Sequence, residues 1–224
     1  MRGVRSSWAA FAANAAHELR TPLTRLLLLA EQAKESSNEP ERRATLERQV
    51  DEITRLSRLV DALLVLARSE ERGTKAGDAV NLADLARDAG RRIDRSLAEV
   101  GIDGPDEALV RGDEDLLRIA VGNLLENAYK FGTGAAPLVV VRVQDGAVEL
   151  RVTTPGARID ATERDLLFDR FYRGPAARAN HVGHGLGLSL ARHIARIHDG
   201  DVHLVSSPDQ DPCFVLRMPL WRAS

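Results

Sequence analysis

The chain has little cysteine and few aromatic side chains, and each shortage excludes a class of protein. Its 224 residues include one cysteine, Cys213, so an internal disulfide cannot form, as expected in a reducing compartment. Aromatic residues make up 4% and the formal net charge is -2, so neither stacking nor a basic surface points to nucleic acid. No apolar run reaches the ~18 residues that span a bilayer. We therefore expect a globular, cytoplasmic chain.

The N-terminal part of the chain also lacks glycine. From residue 4 to residue 72, Ala, Leu, Glu and Arg dominate, which predicts helix. Ser, Asn and Pro within residues 36–40 interrupt the pattern, so we expect two helices joined as a hairpin. Apolar residues recur in both arms at steps of four and three, the spacing of a coiled-coil seam. Because one hairpin cannot bury such wide stripes, we predict a homodimer that pairs through residues 6–71 as a four-helix bundle.

A change of pattern marks a second domain. Residues 73–78, GTKAGD, predict a flexible linker between the hairpin at 1–72 and a domain at 79–224. Beyond it, helical patterns are interleaved with short apolar runs, two of them joined by a turn at 144–146. This order predicts a two-layer α/β sandwich. Helices are expected over 81–100, 113–131 and 186–198, and strands over 138–143, 147–153, 201–205 and 214–218.

The segment FAANAAHELRTPL, residues 11–23, places a histidine and a proline inside the first predicted helix. The heptad turns His17 away from the apolar seam, where a neutral, nucleophilic imidazole is available near pH ~7. Glu18 is adjacent and near enough to orient the ring or accept its proton. Pro22 lacks an N–H and crowds the carbonyl of Glu18, and an interior proline costs ~3 kcal/mol in a helix. Without further context, an exposed histidine is most often an ordinary surface residue.

Two later segments place polar or flexible residues along helices. Asn123 and Asn127 lie in residues 115–132, DLLRIAVGNLLENAYKFG, on a face that they share with apolar residues. A half-buried amide is costly unless it is hydrogen-bonded, so a satisfied core amide and a ligand-binding amide both fit. Residues 183–188, GHGLGL, put three glycines before a helix, where backbone can approach a phosphate. A flexible turn is the simpler interpretation of the glycines alone.

Taken in order, these segments resemble the sensor histidine kinases of two-component systems. Residues 11–23 are similar to the phosphoacceptor box of that family, because His, Glu, Leu, Arg, Thr, Pro and Leu all occur in order. Residues 115–132 resemble the asparagine box of the GHKL (Bergerat-type) ATPase fold, which the kinases share with gyrases and Hsp90 chaperones. FDRFYRG, residues 168–174, and GHGLGL resemble the two boxes of the kinase ATP lid. The resemblance implies a dimeric helical bundle followed by an ATP-binding α/β sandwich.

The resemblance also implies a role for each matching residue. His17 would be autophosphorylated, Glu18 would be its acid/base partner, and Thr21 would position water for dephosphorylation of a response regulator. ATP and Mg²⁺ are the implied cofactors, with Asn127 as the metal ligand, since waters and phosphate oxygens complete a Mg²⁺ shell. The other implied nucleotide-binding residues are Asn123, Lys130, Phe131, Thr154, Gly156, Arg173, Gly183, Gly185, Leu186 and Gly187.

One box departs from the family pattern and leaves two interpretations open. The family has Asp-x-Gly-x-Gly there, and its aspartate reads the adenine amino group. In VTTPGARI, residues 152–159, Gly156 matches, but Thr154 replaces the aspartate and Arg158 replaces the second glycine. A neutral hydroxyl is the weaker acceptor, at a cost of about 1–3 kcal/mol in binding. The Arg158 side chain is expected to narrow the turn or to reach the phosphates.

The two interpretations are a working kinase with relaxed adenine recognition and a degenerate kinase that acts mainly as a phosphatase or dimeric scaffold. The intact His17, Asn127 and GHGLGL favour the first. Asn123 stands where ATP-hydrolysing relatives carry a water-activating glutamate, and an amide is a poor base, which favours phosphoryl transfer to a protein histidine. A pure interaction module leaves all three boxes unexplained.

The implied activity is that of a protein-histidine kinase, which phosphorylates His17 and passes the phosphoryl group to an aspartate in a response-regulator receiver domain. Phosphatase activity toward the same partner is also expected. The resemblance implies the cytoplasmic core of a protein that is anchored in the inner membrane through an upstream segment. The histidines near the C-terminus lack a cysteine or carboxylate cluster, so no metal besides Mg²⁺ is expected. They are His181, His184, His198 and His203.

Overall fold

The computed structural model of the chain describes residues 19–20, 22–36, 38–69, 78–93, 107–133, 135–174, 185–206 and 210–222. These residues belong to two compact units, Met1–Ala67 and Arg68–Ser224. Within the described part, no helix is both long enough and apolar enough to cross a bilayer. Some of the predicted site residues lie outside the described residues, namely His17, Glu18, Thr21 and Gly183.

The first unit contains the predicted helical hairpin. Residues 19–20 and 22–35 are helical and form α1, and α2 runs over Glu39–Ser69. Pro40 lies in the first turn of α2, where the missing N–H has no intrahelical acceptor to lose. Two glutamates in the same turn stabilise the positive end of the helix dipole. The break at residues 36–40 therefore ends one helix and starts the next, as the sequence pattern predicts.

The hairpin buries one stripe of side chains and leaves another exposed. Leu29 and Ala33 of α1 are 9% exposed, and Thr45 of α2 is 2% exposed. In contrast, Leu46 and Ile53 of α2 are 47% and 52% exposed. These two residues belong to the heptad that predicts a seam between two hairpins. A single hairpin therefore leaves that seam open to solvent.

The second unit combines a four-stranded sheet, a two-stranded ribbon and three described helices. In chain order its elements are β1 (Asp78–Asn81), α3 (Leu82–Ile93), β2 (Leu109–Gly112), α4 (Glu114–Phe131), β3 (Leu138–Gln144), β4 (Ala147–Thr153), α5 (Gly187–Ile197), β5 (Asp201–Val205) and β6 (Cys213–Pro219). The sheet order is β3-β4-β6-β5, with all neighbours antiparallel, and β1 pairs with β2. Val110 of β2 bridges Leu220, which joins the ribbon to the sheet.

The core of this unit lies between the sheet and the helices α4 and α5. Val148, Leu150 and Val152 alternate along β4 on one face, and none of the three is exposed. Leu117 and Leu124 of α4 lie seven positions apart, on one helical stripe, and are equally buried. The two asparagines of α4 stand beside this stripe, so packing of the core fixes where their amides lie.

The observed elements differ from the predicted ones in the ribbon. Asn81, expected to begin a helix, ends β1 instead, and its Oδ1 accepts the N–H of Ala83 at 3.1 Å in the first turn of α3. The sequence patterns do not predict β1 or β2, since each has four residues and its partner lies about 30 positions away. The turn that joins β3 to β4 agrees with its sequence, because Asp145 and Gly146 both have positive φ angles, 51° and 69°.

Candidate functional site

Helix α4 presents two amide side chains at the edge of the core. Asn123 and Asn127 are half-buried and lie one turn apart. Nδ2 of Asn123 donates to the carbonyl oxygen of Ile119 at 2.9 Å, which ties the amide to its own helix. No described residue hydrogen-bonds the amide of Asn127. Its carbonyl oxygen is therefore available to a ligand at this edge.

The Asn123 amide lies against the first residue of α5. A Cβ atom added to Gly187 would stand 2.9 Å from Oδ1 of Asn123, closer than real Cβ contacts come. Glycine is therefore required at position 187 because the Asn123 side chain packs against its backbone, and not because the chain forms a flexible turn there. The contact places the asparagine box beside the N-terminus of α5, where backbone N–H groups without helical partners can face an anion.

The glycine loop also contacts the segment FDRFYRG. The N–H of Phe171 donates to the carbonyl oxygen of Gly185 at 2.9 Å. Gly185 has φ +68°, and a Cβ atom there would stand 2.4 Å from the carbonyl oxygen of Tyr172. Both the backbone angle and the contact require glycine at this position. The two lid-like segments therefore form one packed structure at residues 171–172 and 185–187.

An aromatic and ionic cluster anchors this structure to the sheet. The rings of Phe168 and Phe214 meet edge to face at 6.2 Å, and the Arg192 guanidinium lies 4.7 Å from the Phe168 centroid. Arg192 also donates to both carboxylate oxygens of Asp201, at 2.9 and 3.2 Å, and Arg196 donates at 3.1 Å. Burial alone would raise the pKa of the Asp201 carboxyl, but the hydrogen bonds from these arginines hold it below its usual value.

The departing box forms a tight turn at the end of β4. Thr154 is 1% exposed and its N–H donates to the carbonyl oxygen of Pro212 at 3.0 Å. Its hydroxyl is fully buried, and no described residue hydrogen-bonds it. Gly156 has φ +72°, and a Cβ atom there would overlap Oγ1 of Thr133 at 1.9 Å. The N–H of Thr133 donates to Pro155 at 3.1 Å, so the turn packs directly on the segment after α4.

The same turn holds a carboxylate that no sequence pattern indicates. Oδ1 of Asp211 accepts the N–H of Gly156 at 3.0 Å and a guanidinium N–H of Arg158 at 3.0 Å. Nη1 of Arg158 also donates to the carbonyl oxygen of Ala157 at 2.9 Å. The expectation for Arg158 was a narrower turn or a phosphate contact. The structure instead pairs its side chain with Asp211, which lies 53 positions further along the chain.

Comparison with known proteins identifies the two units. The family described as "His Kinase A (phospho-acceptor) domain" matches residues 7–72. The family described as "Histidine kinase-, DNA gyrase B-, and HSP90-like ATPase" matches residues 112–222. The sensor-like histidine kinase SenX3 of Mycobacterium tuberculosis is 34% identical over 218 residues, 93% of this chain and 53% of SenX3. This chain belongs to the sensor histidine kinases. It spans about half the length of the curated relatives that it matches.

Solved structures share the fold, among them that of the histidine kinase ThkA. ThkA, in complex with the response regulator protein TrrA, superposes with a TM-score of 0.72 at 21% identity, covering 98% of this chain and 64% of that one. ShkA, in complex with AMPPNP, gives a TM-score of 0.65 at 22% identity, covering 95% of this chain and 46% of that one. The expected fold class, a helical hairpin followed by an α/β sandwich of the GHKL type, is thereby confirmed.

Within this kinase, the remaining predicted site residues are spread around the α4–α5 junction. Nζ of Lys130 pairs with Glu126 at 2.8 Å, one turn back along α4. Phe131 is half-buried at the end of the same helix, and Leu186 is 4% exposed just before α5. Arg173 is half-buried in the lid-like segment. Thr133 and Asp211 are the contacting residues that sequence reasoning misses, since neither belongs to a periodic pattern or a family box.

The residues that are present fit a nucleotide. A Cβ atom at Gly185 or Gly187 would collide with Tyr172 or Asn123, so glycine lets this loop pack at the N-terminus of α5, and Thr154 offers a buried hydroxyl without a described partner. The amide oxygen of Asn127, which no described residue hydrogen-bonds, fits Mg²⁺, which prefers oxygen ligands and shares its shell with waters and phosphates. Among the described residues, no group of three His, Cys, Asp or Glu side chains stands ready to hold a metal by itself. A metal held jointly with phosphates needs no such group.

Proposed function

We propose that this chain is the catalytic core of its kinase: it binds ATP and Mg²⁺ in the second unit and phosphorylates His17. The phosphoryl group then passes to an aspartate of a response-regulator receiver domain. The observation that carries the proposal is the contact between Asn123 and Gly187, 2.9 Å from amide oxygen to an added Cβ. It sets the asparagine box against the helix N-terminus that follows the glycine loop, where a triphosphate has both donors and a metal ligand within reach.

The residues act mainly by positioning and by electrostatics. Bound ATP supplies the phosphoryl group, and Mg²⁺ offsets negative charge on the phosphates. Backbone N–H groups of residues 185–187 would donate to phosphate oxygens, and the Asn127 amide oxygen would hold the metal. Asn123 has no basic group and is tied to Ile119, so it cannot activate water as a glutamate would. That difference supports transfer to a histidine over steady hydrolysis of ATP.

The first unit supplies the phosphoacceptor and the dimer contact. Several of its apolar side chains are exposed in a single chain, which a second hairpin would cover to give a four-helix bundle through residues 6–71. For that arrangement the heptad spacing predicts His17 on the outer face, where an ATP-binding domain and a receiver domain can each reach it. The exposed apolar side chains are Leu23, Leu27, Leu28, Leu46, Val50, Ile53 and Val60.

One observation supports a second candidate function. Thr154 replaces the carboxylate that reads adenine in the family, and its hydroxyl carries no charge. A kinase with weak nucleotide binding would act mainly as a phosphatase, with Thr21 positioning the attacking water, or as a dimeric scaffold. The packing of Gly185 and Gly187 at the N-terminus of α5, beside Asn123, favours the working kinase.

Incubation of the purified chain with γ-labelled ATP and Mg²⁺ tests the proposal. Wild type should gain acid-labile, alkali-stable label, and His17→Ala should gain none. His203→Ala is the matched control, because His203 lies in β5 and its ring forms no hydrogen bond with described residues, and it should label like wild type. Label that persists in His17→Ala contradicts the assignment of the phosphoacceptor. Absence of both label and ATP binding, with release of phosphate from a phosphorylated receiver domain, supports the second candidate.

A further inference from the structure

The turn that lacks the expected aspartate still contains a carboxylate, and we propose that Asp211 reads the amino group of the base in place of residue 154. This inference rests on the proposed function, since it concerns the base end of the same ATP site. Asp211 lies just before β6, and Thr154 lies just after β4, so the two come from neighbouring strands of the sheet.

Backbone contacts fix Asp211 beside the turn. The N–H of Thr154 donates to the carbonyl oxygen of Pro212 at 3.0 Å, which holds the two chain segments side by side. The preceding residue, Asp211, then reaches the N–H of Gly156 with Oδ1 at 3.0 Å. Gly156 has φ +72° and packs on Thr133, so the donor of this hydrogen bond is itself held in place. The Asp211 carboxylate therefore occupies a defined position beside the turn.

The Asp211 carboxylate retains acceptor capacity. Both donors that contact it, the N–H of Gly156 and the guanidinium of Arg158, bind the same oxygen, Oδ1. Among the described residues, none donates to Oδ2. An ionised carboxylate has about four acceptor sites, so Oδ2 can receive an N–H donor from a ligand. Its charge makes that hydrogen bond stronger than one to a neutral hydroxyl.

The buried hydroxyl of Thr154 is the second, independent sign of a ligand. It is 1% exposed and lacks a described hydrogen-bond partner, whereas buried polar side chains in folded proteins are nearly always paired. A hydroxyl can donate as well as accept, and a carboxylate can only accept. The Asp211 carboxylate can accept from an amino group, and the Thr154 hydroxyl can donate to an unprotonated ring nitrogen beside it. These two groups of a ligand stand next to each other on the 6-amino edge of adenine. A 6-oxo purine would instead place a carbonyl oxygen against the carboxylate.

Arg158 acts here as a positioning residue. Its guanidinium donates hydrogen bonds to Oδ1 of Asp211 and to the carbonyl oxygen of Ala157. These contacts orient the carboxylate through Oδ1 and leave Oδ2 for a ligand. The side chain is 68% exposed, so it does not close the turn to a ligand. Arg158→Gln should therefore weaken ATP binding and lower the preference for ATP in part, by less than loss of the carboxylate itself.

The test compares ATP with inosine triphosphate, which has oxygen in place of the 6-amino group. Calorimetry on the whole chain with Mg²⁺ should give wild type a preference for ATP of about tenfold or more, the size of a hydrogen bond to a charged group. Asp211→Asn should reduce the ratio of the two dissociation constants to about one to threefold, because a neutral amide can face either an amino group or a carbonyl. Asp145→Asn, at the tip of the β3–β4 turn, is the matched control and should keep the wild-type ratio.

A second carboxylate variant separates base reading from a structural role. Thr154→Asp, added to Asp211→Asn, should restore the preference for ATP over inosine triphosphate. If Asp211→Asn does not fold, Asp211→Ser takes its place in the test. The serine hydroxyl can still accept the N–H of Gly156. Equal weakening of both nucleotides, or an unchanged ratio, overturns the role of Asp211 while ATP binding and the proposed function stand. If wild type binds no ATP, both the inference and the proposed function fall.

Discussion

The amide oxygen of Asn123 lies so close to Gly187 that a Cβ atom there would stand 2.9 Å from it. Asn123 lies in α4 and Gly187 begins α5, so the two residues are 64 positions apart in the chain and yet form one corner of the candidate site. Nδ2 of the same amide is held by the carbonyl of Ile119 at 2.9 Å, so the side chain cannot swing away without losing a hydrogen bond. The corner is therefore sensitive to a single added methyl group.

Gly187→Ala should lower ATP affinity by about tenfold and stability by about 1 kcal/mol, because Asn123 must turn and release Ile119. Calorimetry and urea unfolding measure the two effects. Gly122→Ala is the control, since a Cβ atom there meets nothing within 4 Å. It should leave ATP affinity unchanged and raise stability by up to about 1 kcal/mol, as alanine does in a helix interior. Equal ATP affinity for both variants contradicts the close-contact account.

Asp201→Asn should reduce stability at neutral pH by about 1 kcal/mol, a modest value because the carboxylate is partly exposed and screened. The hydrogen bonds from Arg192 and Arg196 hold the folded-state pKa of Asp201 below its unfolded value. The carboxylate therefore stabilises the fold above about pH 4 and loses this effect as pH falls through the folded-state pKa. Unfolding curves of the two proteins should converge at low pH.

High salt provides the control for this pH dependence. About 1 M salt should shrink the difference between wild type and Asp201→Asn at pH 7, since screening weakens exposed ion pairs. Arg192 also stacks on Phe168, which packs on Phe214, so the variant should loosen the lid-like segment as well. A difference in stability that persists undiminished at pH 2 contradicts the assignment to the ionised carboxylate.

His198 should prove structural rather than catalytic or metal-binding. Its Nε2 accepts the N–H of Asp113 at 3.1 Å, and its Nδ1 lies 2.7 Å from the carbonyl oxygen of Ile194, so one ring joins the start of α4 to the end of α5. His198→Phe removes both contacts and should cost about 1–3 kcal/mol in urea unfolding. His203→Phe, whose ring forms no hydrogen bond with described residues, should stay within about 0.5 kcal/mol of wild type.

Labelling separates this structural role from chemistry. At a temperature where both variants are folded, His198→Phe should still accept phosphate from ATP on His17. Loss of label in the folded variant, with ATP affinity unchanged, assigns His198 a role in the reaction and contradicts the structural account.

Sequence periodicity predicts the parts of this fold that are built from local contacts. The apolar stripe of α4, with Leu117 and Leu124 in the core, is visible as helical spacing, and the β3–β4 turn is visible from Asp145 and Gly146. These features depend on residues that are near one another in the chain, where side-chain period and turn chemistry act directly.

Side-chain periodicity and turn residues do not predict contacts between segments that are distant in the chain. Asp211 meets Gly156 across 55 positions, through one side chain and one backbone N–H, and neither residue type signals the pairing. The hydrogen bonds of His198 likewise go to backbone groups, which carry no side-chain signal. Thr154 could be recognised as a departure from the family, but only the fold shows that a carboxylate lies beside it.

The exposed apolar side chains of the hairpin should form the dimer interface. Leu27 of α1 is 62% exposed, one turn after the exposed Leu23, and Ile53 of the predicted α2 heptad is 52% exposed. If a second hairpin covers them, each buried side chain contributes about 1.5–3 kcal/mol to association. Leu27→Lys together with Ile53→Lys should therefore raise the dimer dissociation constant at least ~100-fold, as sedimentation measures. Gln32→Lys adds one lysine at an exposed polar position of α1 and should leave the dimer intact.

Autophosphorylation gives this prediction a functional readout. The double variant should lose labelling of His17 at protein concentrations where wild type is dimeric, and should regain part of it when concentrated, because mass action drives association. The second unit should bind ATP equally in both proteins, since the substitutions lie within the compact unit Met1–Ala67. A double variant that sediments as a dimer contradicts the seam as the interface, whatever its kinase activity.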